Sequence, residues 1–238
     1  MTTVSFSRWI AHASWLIAKA PALWLSYTVA LGILMILSRV SLALGVVIAV
    51  TGLFLAVGLA KYVDLKMSQE PPVSFFWALK RSLPLAILAA VGIVTCWFVF
   101  RLVATLFNGD YEKIILFFFN WELLPENLDD KPLRQLFGWF YGYASATLLF
   151  VMLMLISFAS WFSHPLMLFN NRPLTSANRL GNKATEKHRG AILKLWGFIF
   201  VLAFFGAGIL PMLVPFLYTF TALLMYTSYQ SIFKNLDQ

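Results

Sequence analysis

Basic side chains that could bind phosphate groups or lipid headgroups are concentrated between Asn170 and Gly197. On a helical projection they occupy one side of the segment, opposite a narrow side of small and apolar residues. The basic side carries Arg172, Arg179, Lys183, Lys187 and Lys194, and the narrow side carries Leu174, Ala177, Gly181, Ala184 and Ala191. Cations beside a membrane surface attract anionic headgroups by about 1 kcal/mol each. The candidate contacts to headgroups or to a partner are Arg172, Arg179, Lys183, Lys187 and Arg189.

The small-residue side of this segment is a second candidate contact. Ala177, Gly181 and Ala184 leave room for a close approach, which favours packing on another helix over insertion into lipid. The cations have a simpler explanation, because cytoplasmic segments of membrane proteins are rich in Lys and Arg without binding any specific lipid. Both interpretations remain open at the level of the sequence.

Residues suited to catalysis or metal binding do not form a recognisable set. The histidines His12, His164 and His188 are far apart, and none has a ligand partner three or four residues away. Ser163 precedes His164 without a third catalytic group or a GxSxG turn, and no glycine-rich phosphate-binding motif is present. We therefore expect no metal site, no cofactor and no enzymatic activity.

The composition is that of an integral membrane protein. Of the 238 residues, 61% are hydrophobic, only 12% are charged and 23 are phenylalanine. A soluble domain of this length could not bury so much apolar surface in one core. The net charge of +8 comes from short segments between apolar runs, a pattern typical of cytoplasmic loops rather than of nucleic-acid binding. The single cysteine, Cys96, lies in an apolar run and excludes a disulfide framework.

Six apolar runs approach the length of about 20 residues that a transmembrane helix requires. We expect one all-α membrane domain over residues 1–238, with six transmembrane helices arranged as three hairpins. The predicted spans are residues 22–37, 41–60, 84–103, 140–165, 192–208 and 212–229, and an acidic external segment covers residues 106–135. Gly45, Gly52 and Gly58 lie in the second span, where small residues permit close helix packing.

A cytoplasmic amphipathic segment, or elbow helix, precedes each predicted hairpin. The elbows cover residues 6–20, 72–83 and 173–189, and they suggest a threefold internal repeat. Any six-helix protein with cytoplasmic connections would give a similar pattern, so the repeat is one of two explanations. Thirteen of the eighteen Lys and Arg residues fall on the elbow side, which predicts that both termini are cytoplasmic.

Two stretches of the chain, residues 50–85 and 160–199, resemble a known family. Each combines the end of an apolar span, a short polar link and an elbow that starts with proline. The resemblance rests on the Gly52 and Gly58 pair, the run from Trp161 to Pro165, and the elbow start from Pro173 to Ala177. These features are similar to those of a family of uncharacterised six-span inner-membrane proteins of proteobacteria. The resemblance implies a bacterial inner (plasma) membrane and brings no biochemical activity with it. The acidic external segment does not match the family's pattern.

Three functional hypotheses follow from the sequence. The favoured one is a non-enzymatic multi-pass protein, either an accessory subunit of a membrane assembly or an organiser of anionic lipid, with lipids or another membrane protein as partners and no nucleic acid. The alternative is a transporter or channel for a small or lipidic solute, although the predicted spans contain no Asp or Glu; Arg101 lies near one end of the third span. A third hypothesis is a lipid-modifying enzyme, for which the candidate catalytic carboxylates would be Glu112, Glu122 and Glu126.

Overall fold

The structure, a computed structural model, describes residues 5–67, 75–109, 112–119, 133–208 and 211–233. Within these ranges the chain forms α-helices and short 3-10 turns, without a β-strand. The helices are α1 (Phe6–Lys19), α2 (Pro21–Met35), α3 (Leu42–Met67), α4 (Phe75–Asn108), α5 (Glu112–Phe118), α6 (Leu133–Ser157), α7 (Ser163–Asn170), α8 (Leu174–Lys187), α9 (Arg189–Gly208) and α10 (Val214–Phe233).

Five stretches of the described chain are long and apolar enough to cross a membrane. They are Pro21–Ser38, Leu42–Met67, Ala78–Asn108, Arg189–Gly206 and Pro211–Phe233. The described apolar part of α6, Tyr141–Ser157, is shorter. An all-helical chain with several such helices is compatible with a multi-pass membrane protein. The sixth span and the three-hairpin arrangement stay predictions.

Helices α3 and α10 form the centre of the bundle. In their apolar stretches 67% and 78% of the residues are buried, against 11% in α4. Small residues allow this packing on α3. A β-carbon added at Gly45 would lie 2.5 Å from the β-carbon of Ser38, and one added at Gly58 would lie 2.8 Å from that of Ser82. A β-carbon added at Gly52 would likewise meet the side chain of Leu31 on α2.

The first and third predicted elbows are separate helices. Helix α1 packs on α10, where the Thr227 hydroxyl donates a hydrogen bond of 3.3 Å to the carbonyl of Trp9. Pro21 is the first residue of α2. At this position proline is tolerated, because a backbone N–H there would have no hydrogen-bond acceptor within the helix. Helix α8 is followed by α9 after a break at His188.

The second predicted elbow does not form a separate helix. Residues from Phe75 onward continue without a break into the predicted third span as the single helix α4. Pro84 lies inside this helix, where neighbouring groups in a membrane protein can compensate for the missing backbone hydrogen bond. The start of this elbow, residues 72–74, lies outside the described residues.

The predicted fourth span, residues 140–165, is divided into two helices. In a continuous helix the ring of Pro165 would meet the carbonyl of Trp161, four residues earlier. Helix α6 instead ends at Ser157, and residues 158–162 form the α6–α7 turn. The Ser160 N–H donates to the Ser163 hydroxyl at 2.9 Å within this turn.

Helix α3 extends to Met67, beyond the predicted end of the second span at residue 60. Residues 61–67, expected as a charged connection, therefore continue the helix and bring Asp64 into the bundle. Of the predicted external segment, the structure describes the end of α4, the short helix α5 and the start of α6. Residues 110–111 and 120–132, which include most of its acidic residues, lie outside the described part of the chain.

Candidate functional site

The two faces of α8 have opposite environments. Ala177, Gly181 and Ala184 are buried on the side that faces the bundle. Gly181 lies directly on the α6–α7 turn, where an added β-carbon would overlap the Ser160 hydroxyl and lie 3.5 Å from the β-carbon of Phe162. Helix α8 is therefore held on the bundle by its smallest residues, which fixes the direction of its opposite face.

The opposite face of α8 and its flanks carry the basic residues that the sequence analysis selects. All five side chains are exposed, and within the described chain none of them forms a hydrogen bond or ion pair with another residue. They are Arg172, Arg179, Lys183, Lys187 and Arg189. Glu186 is the one acidic residue of α8 and is also exposed. We call this surface the basic face.

His188 lies at the junction of α8 and α9 and does not add to this charge. Partial burial, together with the neighbouring positive charge of Lys187, lowers the pKa of His188 below its ordinary value. The imidazole is therefore neutral at pH 7, and the basic face takes its charge from Lys and Arg alone.

A polar cluster joins α3 to α10 at the end of the bundle where both helices finish. The Asp64 carboxylate accepts hydrogen bonds of 2.6 Å from the Tyr226 hydroxyl and 2.6 Å from the Gln230 amide. On α7, the Asn170 side-chain oxygen accepts a hydrogen bond of 2.6 Å from Tyr229. The predicted spans miss this cluster, because Asp64 falls beyond residue 60. In the sequence, an indication of the cluster was that Tyr226 and Gln230 are four residues apart and therefore share one face of a helix.

A small cleft opens beside this cluster, between α3, α4 and α7. Its volume is about 70 Å³. The Lys61 ammonium lies 4.6 Å from the centre of the Phe169 ring, and the Arg81 Nη2 donates a hydrogen bond of 3.0 Å to Asn171 Oδ1. We call it the Lys61–Arg81 cleft, and it is lined by Gly58, Lys61, Tyr62, Ala78, Arg81, Leu168 and Phe169.

Two larger cavities lie on the sides of the bundle. One of about 310 Å³ separates α9 from α10, and one of about 520 Å³ separates α6 from α9. Aliphatic and aromatic side chains and glycines line both of them. Neither is lined by a charged residue.

The three histidines do not converge. His12 lies next to Trp15 on α1, with ring centres 5.6 Å apart, and His188 ends α8. His164 is buried on α7 and packs on Phe54 of α3, with ring centres 4.3 Å apart and the ring planes tilted by 31°. Neither nitrogen of His164 has a hydrogen-bond partner among the described residues. The part of the chain that the structure describes contains no group of His, Cys, Asp or Glu that could hold a metal ion.

Comparison with family models, with curated proteins and with solved structures finds no match for this chain. The resemblance to the family of six-span inner-membrane proteins therefore stays a prediction. The functional argument rests on the basic face and the polar cluster.

Proposed function

We propose that this chain is a non-enzymatic, six-span protein of a bacterial inner membrane that organises anionic phospholipids at the basic face of α8. In this proposal both termini and the three elbow segments lie on the cytoplasmic side. The excess of Lys and Arg on that side of the predicted spans supports the orientation.

The observation that carries the proposal is the fixed orientation of α8. Ala177, Gly181 and Ala184 are buried against the bundle, so the helix cannot rotate its cations inward without losing this contact. An interfacial helix that bound by insertion would instead present a broad apolar face to the lipid. Exposed cations on a rigid support attract anionic headgroups by about 1 kcal/mol each at the membrane surface.

Purification in a mild detergent tests the proposal, with mass spectrometry of all co-purified lipids and proteins. Enrichment of phosphatidylglycerol or another anionic lipid, without a stoichiometric protein, would support it. A stoichiometric protein partner would replace it with the accessory-subunit hypothesis. Recovery of neither lipid nor partner would favour a transporter or channel.

The transporter hypothesis has one structural observation in its favour. Asp64 lies within a helix long enough to span a membrane, and its carboxylate is hydrogen-bonded to Tyr226 and Gln230 of the central helix α10. Acidic residues inside such helices often mark ion or proton pathways. Solute flux in proteoliposomes that is lost on Asp64→Asn or Arg101→Gln, with anionic lipid enrichment unchanged, would favour this second function.

A further inference from the structure

The larger of the two side cavities is an apolar groove between α6 and α9, which we call the α6–α9 groove. Its volume is about 520 Å³. Residues of α6 from Leu149 to Ile156 form one wall, and residues of α9 from Leu193 to Val201 form the other. The side chains of Leu193 and Phe200 remain more than half exposed, so the groove opens to the side of the bundle.

Gly197 on the α9 wall leaves space in this groove. A β-carbon added at this position would have no other atom within 4 Å. The part of α9 that lines the groove, residues 193–201, is about 12 Å long at the rise of an α-helix. The cross-section of the groove is therefore roughly 40 Å², about half that of an α-helix with its side chains. A partner helix would not enter the groove, whereas an extended hydrocarbon chain would.

One end of the groove lies beside the basic face. Asn178 of α8 donates a hydrogen bond of 3.2 Å to the carbonyl of Phe158, the residue that follows the end of α6. Arg189 is the first residue of α9 and lies one helical turn before Leu193. With a spacing of four and then seven residues, Arg189, Leu193 and Phe200 share one side of the helix. The α9 wall therefore begins one turn beyond an exposed guanidinium.

Lys194 adds a second exposed cation at the same end of the groove. Within the described chain, neither Lys194 nor Arg189 forms a hydrogen bond or ion pair. Long basic side chains near the end of a spanning helix extend their charge toward the membrane interface. The two cations thus stand where a lipid headgroup would lie. The groove leads away from them along a helix that is long and apolar enough to cross a membrane.

We infer that the α6–α9 groove binds the acyl part of one anionic phospholipid, with Arg189 and Lys194 beside its phosphate. The inference rests on the proposed function, that the protein handles anionic lipid, and adds one site that holds both the chain and the headgroup. The basic face attracts many exchanging lipids by charge. The groove retains one lipid through van der Waals packing of its hydrocarbon, which a bulkier side chain in the groove would prevent.

The test measures how much of the full-length protein retains one phosphatidylglycerol during native mass spectrometry in detergent. Gly197→Leu fills the groove without changing any charge. Gly92→Leu is the matched control, because Gly92 lies on α4 in another apolar stretch and a β-carbon there would also meet nothing within 4 Å. We expect at least a fivefold loss of retained lipid in Gly197→Leu and wild-type retention in Gly92→Leu. Equal retention in the two variants would overturn the inference.

A second measurement needs no variant and therefore does not depend on the folding of Gly197→Leu. The wild-type protein should retain phosphatidylglycerol with long acyl chains at least tenfold more than phosphatidylglycerol with six-carbon chains. Displacement of the long-chain lipid by glycerophosphoglycerol, which has the headgroup without the chains, would show that the headgroup alone binds and would overturn the groove. A dimer that becomes a monomer in Gly197→Leu, with lipid retention unchanged, would assign the groove to a second copy of the chain and would also overturn it.

The headgroup assignment is tested with Arg189→Gln/Lys194→Gln. This variant should still retain a lipid but lose the preference for phosphatidylglycerol over phosphatidylethanolamine several-fold. Lys66→Gln/Lys80→Gln removes the same charge from exposed positions on α3 and α4 and should keep the preference. An unchanged preference in the first variant would overturn the role of the two cations.

The outcomes separate this inference from the proposed function. Loss of the retained lipid in Gly197→Leu, with no effect of neutralising Arg179, Lys183 and Lys187 on the surrounding anionic lipid, would leave the groove correct and the basic face incidental. Loss of the anionic excess on neutralising those three cations, with full retention in Gly197→Leu, would leave the proposed function correct and overturn the groove.

Discussion

Gly181 of α8 lies directly on Ser160 of the α6–α7 turn, so closely that a β-carbon at residue 181 would overlap the serine hydroxyl. Ser160 cannot easily move, since its N–H and its hydroxyl both form hydrogen bonds with the Ser163 hydroxyl, at 2.9 and 3.0 Å. This contact sets how close α8 comes to the bundle. It therefore also sets the direction of the basic face.

Gly181→Ala should destabilise the protein by about 1–3 kcal/mol, because the added methyl group must push α8 away from the turn. Thermal unfolding in detergent measures the loss. Gly190→Ala is the matched control, because nothing lies within 4 Å of a β-carbon at this position on α9. It should leave the melting temperature unchanged or raise it, since alanine favours helix over glycine by about 0.5–1 kcal/mol. Equal effects of the two substitutions would contradict the close contact.

Tyr226→Phe should lower the free energy of unfolding by about 1.5–3 kcal/mol, the typical contribution of a hydrogen bond to a charged group. The substitution removes the Tyr226 donor to the Asp64 carboxylate and leaves Gln230 in place. Tyr62→Phe on α3 serves as the control, because its ring packs on Phe75 and its hydroxyl forms no hydrogen bond with a described residue. A Tyr226→Phe variant as stable as Tyr62→Phe would contradict the polar cluster.

His164→Phe should be neutral or stabilising. The imidazole is buried against Phe54 and has no hydrogen-bond partner in the described ranges, so an apolar ring of similar shape removes an unsatisfied polar group. His164→Ala should instead cost about 2 kcal/mol or more through the cavity it creates. Melting temperatures of the two variants check both expectations. A destabilised His164→Phe variant would reveal a polar partner for the imidazole.

The proposed orientation predicts which single cysteines a membrane-impermeant maleimide can reach. In a Cys96→Ser background, Asn108→Cys at the exposed end of α4 should react in intact spheroplasts. Thr175→Cys, exposed on α8, should react only after the membrane is permeabilised. The reverse pattern would place the basic face outside the cell and would contradict the proposed lipid contact with the cytoplasmic leaflet.

The amphipathic character of α8 was predictable because it depends on local periodicity alone. Residues 177, 181 and 184 share one side of any regular helix, and the structure buries that side. The same local reasoning failed at Pro84, which marks the end of a predicted elbow but lies inside the continuous helix α4. A proline signals a helix boundary only where neighbouring groups do not compensate for the lost hydrogen bond.

The polar cluster and the cleft could not be predicted from the sequence, because both depend on contacts between residues that are far apart in the chain. Asp64 and Tyr226 meet only when α3 packs along α10, and Arg81 meets Asn171 only when α7 lies against α4. Each residue alone resembles an ordinary interfacial polar group. Their shared location became visible only from the packing of the helices.

The most direct test of the proposed function compares two charge-matched triple variants. Arg179→Gln/Lys183→Gln/Lys187→Gln neutralises three cations of the basic face, and Lys19→Gln/Lys66→Gln/Lys80→Gln removes three exposed cations from other helices. The measurement is the ratio of phosphatidylglycerol to phosphatidylethanolamine extracted with each protein in polymer nanodiscs. At up to about 1 kcal/mol for each cation, we predict a several-fold fall in the anionic excess for the first variant and a small change for the second. Equal ratios in both variants would mean that the cations serve only the positive-inside bias, and would contradict the proposal.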